Sequence, residues 1–233
     1  MSPGMNAERA GQEVRIPTFE MLMSGTLVLP RGASRVILFA HGSGSGRFSS
    51  RNQFVAASLQ RARLGTLLID LLAEDEAKDL RKVFDIELLA ARLLTAAQWL
   101  AREPATRGLR LGFLGASTGA AAALIAAARR PELAGAVVSR GGRPDLARGD
   151  LPDVTVPTLL IVGSLDEDVL ELNRQAPALL RSPRELVVVP GATHLFPEPG
   201  TLEEVARLAE RWFLQHLERD SQLSRDRPAT AAE

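Results

Sequence analysis

Short runs of almost unbroken apolar residues alternate along this chain with longer stretches whose apolar positions recur every three to four residues. Residues 35–40 (RVILFA), 65–70 (GTLLID) and 109–115 (LRLGFLG) are apolar at nearly every position, the pattern of strands buried on both faces of a sheet. Runs at 135–139, 157–163 and 184–190 extend the set. Earlier, 13–18 and 21–29 read as two extended segments joined by a short turn and followed by the turn signal Pro30-Arg31-Gly32, which predicts an antiparallel start. Helical periodicity predicts helices over 52–63, 85–102, 118–130, 168–180 and 202–217. In 85–102, Ile86, Leu89, Ala90, Leu93, Leu94, Ala97 and Leu100 form one apolar stripe that must pack on something. Strands alternating with helices build a mostly parallel sheet covered on both faces, an α/β fold.

Length agrees with one such unit. The 233 residues suit a single domain over 13–218, with flexible ends expected at 1–12 and 219–233. Fewer than about 20 residues separate the runs at 135–139 and 157–163, too few for a large cap domain, so an open, shallow site is expected.

Composition removes several chemistries. Lys plus Arg and Asp plus Glu stand at 28 each, so no net positive field exists to hold nucleic acid or an anionic membrane. No stretch approaches the roughly 18 apolar residues of a membrane span, and the polar N-terminus lacks the apolar run of a secretory signal; a cytoplasmic enzyme is expected. Absence of cysteine excludes a thiol nucleophile and thiolate metal ligation, and no zinc or phosphate-loop motif can be fitted, so neither cofactor nor metal is expected.

What remains is hydroxyl chemistry. After the strand at 109–115 stands Gly115-Ala116-Ser117-Thr118-Gly119, a G-x-S-x-G, and directly after it the strong helix former AAAALIAAARR. Small residues around a sharp strand-to-helix turn leave the Ser117 hydroxyl exposed over a helix N-terminus, whose free N–H groups favour an oxyanion. Serine needs a base. Of the three histidines, His194 follows the strand at 184–190 and so stands at a strand's carboxyl end, where sites of α/β sheets gather. His216 lies in the last predicted helix and reads as a surface residue; His41 reads as a brace for its own loop. The loop after 157–163 offers Asp166, Glu167 and Asp168. Asp166 is the expected acid, Asp168 a helix cap and Glu167 a solvent-facing residue, with Asp145 of the preceding loop as the rival acid. The glycine-rich 41–46 (HGSGSG) is expected to supply the second oxyanion N–H from Ser43, or from Gly44, with the first from Thr118. Gly44, Arg47, Arg51, Arg140 and Arg143 are candidate substrate-binding residues, the arginines suiting a carboxylate-bearing ester.

In the same order, the segments AHGSGSG, GASTG, VGSLDEDV and GATHLF resemble the dienelactone-hydrolase-like branch of the α/β-hydrolases, from about residue 20 to 217. VVSRGGRPDLA and EEVARLAERWFLQHL further resemble a subgroup of small hydrolases sometimes fused to phosphoribosyltransferase domains; no such domain is expected within these residues. The resemblance implies a Ser117–Asp166–His194 triad acting on a small-molecule carboxylic ester or lactone. One departure stands out. Dienelactone hydrolases proper use a cysteine nucleophile, and serine stands here, so that family's substrate is not carried across. A thioesterase, peptidase or acyltransferase would carry the same residues, and a non-catalytic binding module would share the fold.

Overall fold

A computed structural model describes residues 11–217. Eight strands form one sheet: β1 Gln12–Pro17, β2 Leu22–Val28, β3 Arg35–Ala40, β4 Gly65–Ile69, β5 Arg110–Ala116, β6 Ala136–Arg140, β7 Thr158–Gly163 and β8 Arg184–Val189, in the spatial order 1-2-4-3-5-6-7-8. The first two strands pair antiparallel, β2 pairs antiparallel with β4, and every later pairing is parallel. This is the α/β-hydrolase fold with no large cap domain, as expected. The expected flexible ends fall almost wholly outside the described residues; Gln12, placed in the first of them, already belongs to β1 and pairs with Leu27.

Two apolar layers sandwich the sheet, because successive residues of a strand point to opposite faces. Val36, Leu38, Phe113 and Val137 face α3 (Ile86–Arg102) and the alanine-rich α4 (Thr118–Arg129). Ile37, Phe39, Leu114 and Val138 face α1 (Ser50–Arg61) and α6 (Thr201–His216). Alanine lets α4 lie close to the sheet, with every residue from Thr118 to Ala127 buried. Gly112 shows how tight the other face is, since a Cβ there would meet the Phe213 ring of α6 at 2.7 Å. A short helix, α2 (Leu80–Val83), precedes α3, and α5 (Glu167–Gln175) packs on β7 and β8. Between β6 and β7 lie only two short 3-10 turns, at Pro144–Ala147 and Leu151–Asp153.

Among the described residues no helix is long and apolar enough to cross a membrane.

Candidate active site

Three loops meet at the carboxyl edge of the parallel strands. The first is the turn from β5 into α4. Ser117 stands there with φ 51° and ψ −121°, a conformation that costs a non-glycine residue about 1–3 kcal/mol and that clusters at functional sites. Its flanking glycines are required by contact. A Cβ on Gly115 would sit 2.4 Å from the Ala120 Cα, and one on Gly119 would sit 2.3 Å from the Ala40 carbonyl oxygen. The turn is held by the Ser117 N–H donating to the Arg140 carbonyl at 3.1 Å and by the Arg143 N–H donating to the Ser117 carbonyl at 3.3 Å. The Ser117 side chain is half-buried.

The other two loops follow β7 and β8 and are fastened to each other. Leu165 N–H donates to the Ala192 carbonyl at 2.9 Å, Ser164 N–H to that of Val189 at 3.0 Å, and Gly191 N–H to the Ser164 hydroxyl at 2.8 Å. The two backbones come so close that a Cβ on Gly163 would lie 2.2 Å from the Ala192 oxygen. This fastening brings His194 Nδ1 to 2.6 Å from Asp166 Oδ2. An ionised carboxylate only accepts, so Nδ1 carries the proton and Nε2 is left with its lone pair. The His194 ring lies over Gly141, where a Cβ would be 3.5 Å from both Nδ1 and Cε1; Gly141 directly follows the residue whose carbonyl holds the Ser117 N–H. Imidazole and serine thus flank one short stretch, Arg140-Gly141. The Ser117 hydroxyl makes no hydrogen bond among the described residues.

Asp166, rather than Asp168, occupies the N-cap position of α5. Its side chain makes no cap bond, because the carboxylate is turned to His194. Asp168 falls instead in the exposed first turn of the helix, beside exposed Glu167. The rival acid Asp145 is engaged elsewhere, accepting from Arg143 Nε at 2.8 Å and Nη2 at 2.6 Å.

The glycine-rich loop after β3 presses against the serine turn, with a Cβ on Gly42 lying 3.0 Å from the Ser117 Cβ. His41 braces it as expected. Leu71 N–H donates to Nε2 at 2.9 Å and Nδ1 lies 3.0 Å from the Gly42 carbonyl, so Nδ1 is the protonated nitrogen, and burial holds the ring's pKa below its ordinary value. Ser43 lies against the start of α4. Its N–H donates to the Thr118 hydroxyl at 3.1 Å and is therefore occupied at rest. The Thr118 N–H, at the first position of α4, has no intrahelical partner by helix geometry. Gly44 is exposed, with φ 66°.

Two of the four candidate arginines are structural. Arg47 donates from Nε to Asp70 Oδ2 at 2.9 Å and from its backbone N–H to Oδ1 at 2.8 Å, and its Nη1 reaches Glu13 and the Thr26 hydroxyl. It tethers the loop to β1, β2 and the end of β4. Arg143 is held by Asp145. Arg140 and Arg51 have no carboxylate partner within ion-pair distance among the described residues.

Two features escaped sequence reasoning. Glu198 accepts from the Thr193 N–H at 3.1 Å and hydroxyl at 2.6 Å, bracing the His194 loop from the far side; those bonds hold its carboxyl below the ordinary range. No spacing rule marks such a residue. A cavity of about 270 Å³ also opens beside Gly42–Ser45, walled by Leu72, Ala77, Val83 and Leu89. The segment between β4 and α3 that folds over it is locked by Arg92, whose buried guanidinium bonds Glu76 and the Leu71 carbonyl.

The fold finds counterparts in known proteins. Residues 72–218 match the family model described as the dienelactone hydrolase family. A dienelactone hydrolase from Anabaena variabilis of known crystal structure is 52% identical, with a TM-score of 0.86 over 90% of this chain and 100% of that one. Est1E from Butyrivibrio proteoclasticus shares the fold at 15% identity, with a TM-score of 0.77 over 89% of this chain and 99% of its own. Two Mycobacterium tuberculosis relatives whose provisional name is phosphoribosyl transferase are 53% identical over 206 residues, 88% of this chain. The chain spans 46% of the length of those relatives. A family match covering well over half of the chain and a full-length structural relative at this identity lead to one conclusion: the chain belongs to the dienelactone hydrolase family.

Proposed function

We propose that this protein is a serine hydrolase that cleaves a carboxylic ester or lactone through an acyl-enzyme. The observation that carries the reading is the 2.6 Å contact of His194 Nδ1 with Asp166, placed over the backbone that holds Ser117. With Nδ1 protonated and bonded to the carboxylate, Nε2 is free to accept the Ser117 proton as the hydroxyl oxygen attacks the carbonyl carbon. Collapse of the tetrahedral intermediate breaks the bond to the leaving alkoxide, which takes the proton back from Nε2. Water then repeats the sequence, releasing the acid and restoring the serine; for a lactone both products are ends of one hydroxy acid.

Backbone donors stabilise the oxyanion. The Thr118 N–H stands ready at the start of α4, and the incoming carbonyl oxygen replaces the Thr118 hydroxyl as acceptor for the Ser43 N–H. The cavity walled by Leu72, Ala77, Val83 and Leu89 suits an uncharged hydrocarbon portion of the ester, since the one ionisable side chain in its lining, His41, has both ring nitrogens engaged.

The test is covalent labelling by a fluorophosphonate probe together with a product burst from an activated aryl ester. Wild type is expected to label and burst, and Ser117→Ala to do neither while staying folded. Equal labelling of the two proteins would end the assignment.

A further inference from the structure

Residues 140–143, which close β6 and pass beneath the His194 ring, bond through their backbone to the serine turn, to β7 and to α5. The Arg140 carbonyl accepts from the Ser117 N–H at 3.1 Å, the Gly141 N–H donates to the Ile161 carbonyl at 2.8 Å, and the Arg143 N–H donates to the Ser117 carbonyl at 3.3 Å. The remaining bond comes from a side chain. Asn173 of α5 donates from Nδ2 to the Gly142 carbonyl at 2.9 Å.

Asn173 is fully buried, and its amide has one workable orientation. Nδ2 also donates to the Val169 carbonyl, one turn earlier in the same helix, at 2.8 Å. Both neighbours are carbonyl oxygens, so the nitrogen must face them, and Oδ1 is left buried with no hydrogen-bond partner among the described residues. An orphaned carbonyl disfavours folding, and an apolar side chain of like volume would avoid it. What the amide supplies is a fixed Gly142. Packing pins that residue too, since a Cβ there would lie 2.0 Å from Ser139 Oγ and 2.7 Å from the Ala120 Cβ. Asp166 stands at the N-cap of α5, about two turns before Asn173 and on the same side of the helix. One helix therefore reaches His194 through its acid and the stretch that holds Ser117 through its amide.

We propose that Asn173 is a positioning residue for the reaction: by holding Gly142 it fixes the stretch that carries Ser117 against the helix that carries Asp166, and so sets the approach of His194 Nε2 to the serine hydroxyl. Being fully buried, it touches neither substrate nor the reacting atoms. Of the four bonds along 140–143 it makes the one that a side-chain substitution removes, because the other three join backbone to backbone. This role rests on the hydrolase reading.

Asn173→Leu roughly keeps the volume and removes the donor. With an activated aryl ester, kcat is expected to fall about 10- to 100-fold while KM changes by less than about twofold, and labelling of Ser117 by the fluorophosphonate probe should slow by the same factor. The downfield proton resonance of the His194–Asp166 bond should persist in Asn173→Leu and vanish in Asp166→Asn, because the acid and base stay paired while the serine is out of place. Leu170→Ala, which loosens the packing of the same helix and leaves the Asn173 bond alone, should lower Tm with kcat near wild type. Should Asn173→Leu fail to fold, Asn173→Ser, whose side chain is too short to reach Gly142, gives the same reading. Wild-type kcat and labelling in the Asn173 variants, loss of the downfield resonance together with activity, or an equal fall in kcat for Leu170→Ala overturns the positioning role and leaves the hydrolase reading in place. No labelling of wild type would remove the hydrolase reading itself, and this role with it.

Discussion

The backbone N–H of Ser43 donates to the side-chain hydroxyl of Thr118 at 3.1 Å, joining the glycine-rich loop to the residue that follows Ser117. A hydrogen bond of this kind contributes about 0.5–1.5 kcal/mol, enough to keep an exposed loop in register with the serine turn. Thr118→Val, which keeps the shape and removes the acceptor, is expected to lower kcat by about two- to tenfold with KM changed less. Steady-state kinetics on one activated ester check this, and an unchanged kcat would mean that the loop holds its place without the bond.

Asp166 fixes which nitrogen of His194 bears the proton. Asp166→Asn keeps the volume but permits the wrong tautomer, so kcat should fall by about 10³–10⁴-fold while fluorophosphonate labelling of Ser117 slows in parallel. Asp145→Asn should leave the rate near wild type, since that carboxylate serves Arg143. The reverse ranking would move the acid to the loop after β6.

Gly163 has no room for a methyl group. A Cβ there would lie 2.2 Å from the Ala192 oxygen and 2.9 Å from that of Thr193, so the acid and histidine loops must part. Gly163→Ala should destabilise by about 1–3 kcal/mol and also depress kcat, whereas Gly149→Ala, with nothing within 4 Å, should do neither. Denaturant titration and kinetics on the same preparations read both effects.

Acid should destabilise the protein in two stages. His41 is neutral in the fold because burial lowers its pKa, and the unfolded chain takes up that proton as pH falls below 6.5; stability therefore drops from there downward. Glu76 is held to about 2, chiefly by the Arg92 hydrogen bonds and further by Lys82, against an ordinary value of 4.5. Its contribution is present above pH 4.5 and is lost as pH falls toward 2. Tm measured against pH should show both slopes, and Glu76→Gln should lower Tm at neutral pH while flattening the lower one.

Ala77 is exposed yet borders the cavity beside the oxyanion loop, so a larger residue there fills space without disturbing the core. Ala77→Leu should reduce kcat/KM for longer-chain aryl esters more than for the acetate, by about tenfold. Equal loss across chain lengths would place the hydrocarbon elsewhere.

All eight strands and five of the six helices could be read from the chain, because strands buried on both faces and helices buried on one leave different periodicities. The 80–83 helix escaped, being one turn long with no period to show. Ser117 and His194 were legible because they follow strands directly. The arginines were not: Arg47 meets Asp70 across 23 residues and Glu13 across 34, and no local pattern encodes such pairings. The cap of α5 was misread for a related reason, as Asp166 holds the cap position while its side chain serves a histidine 28 residues away.

The order of strands leaves β8 at one border of the sheet, bonded on a single side, with Val188 37% exposed. His194 hangs from that border strand, whereas Ser117 is rooted in β5 among the innermost strands. Edge elements open before central ones, so gentle denaturant should silence the enzyme while most of the molecule stays intact. Amide hydrogen exchange would register this as faster turnover at Leu186–Val189 than at Leu111–Leu114, with the rate of inactivation following the faster set.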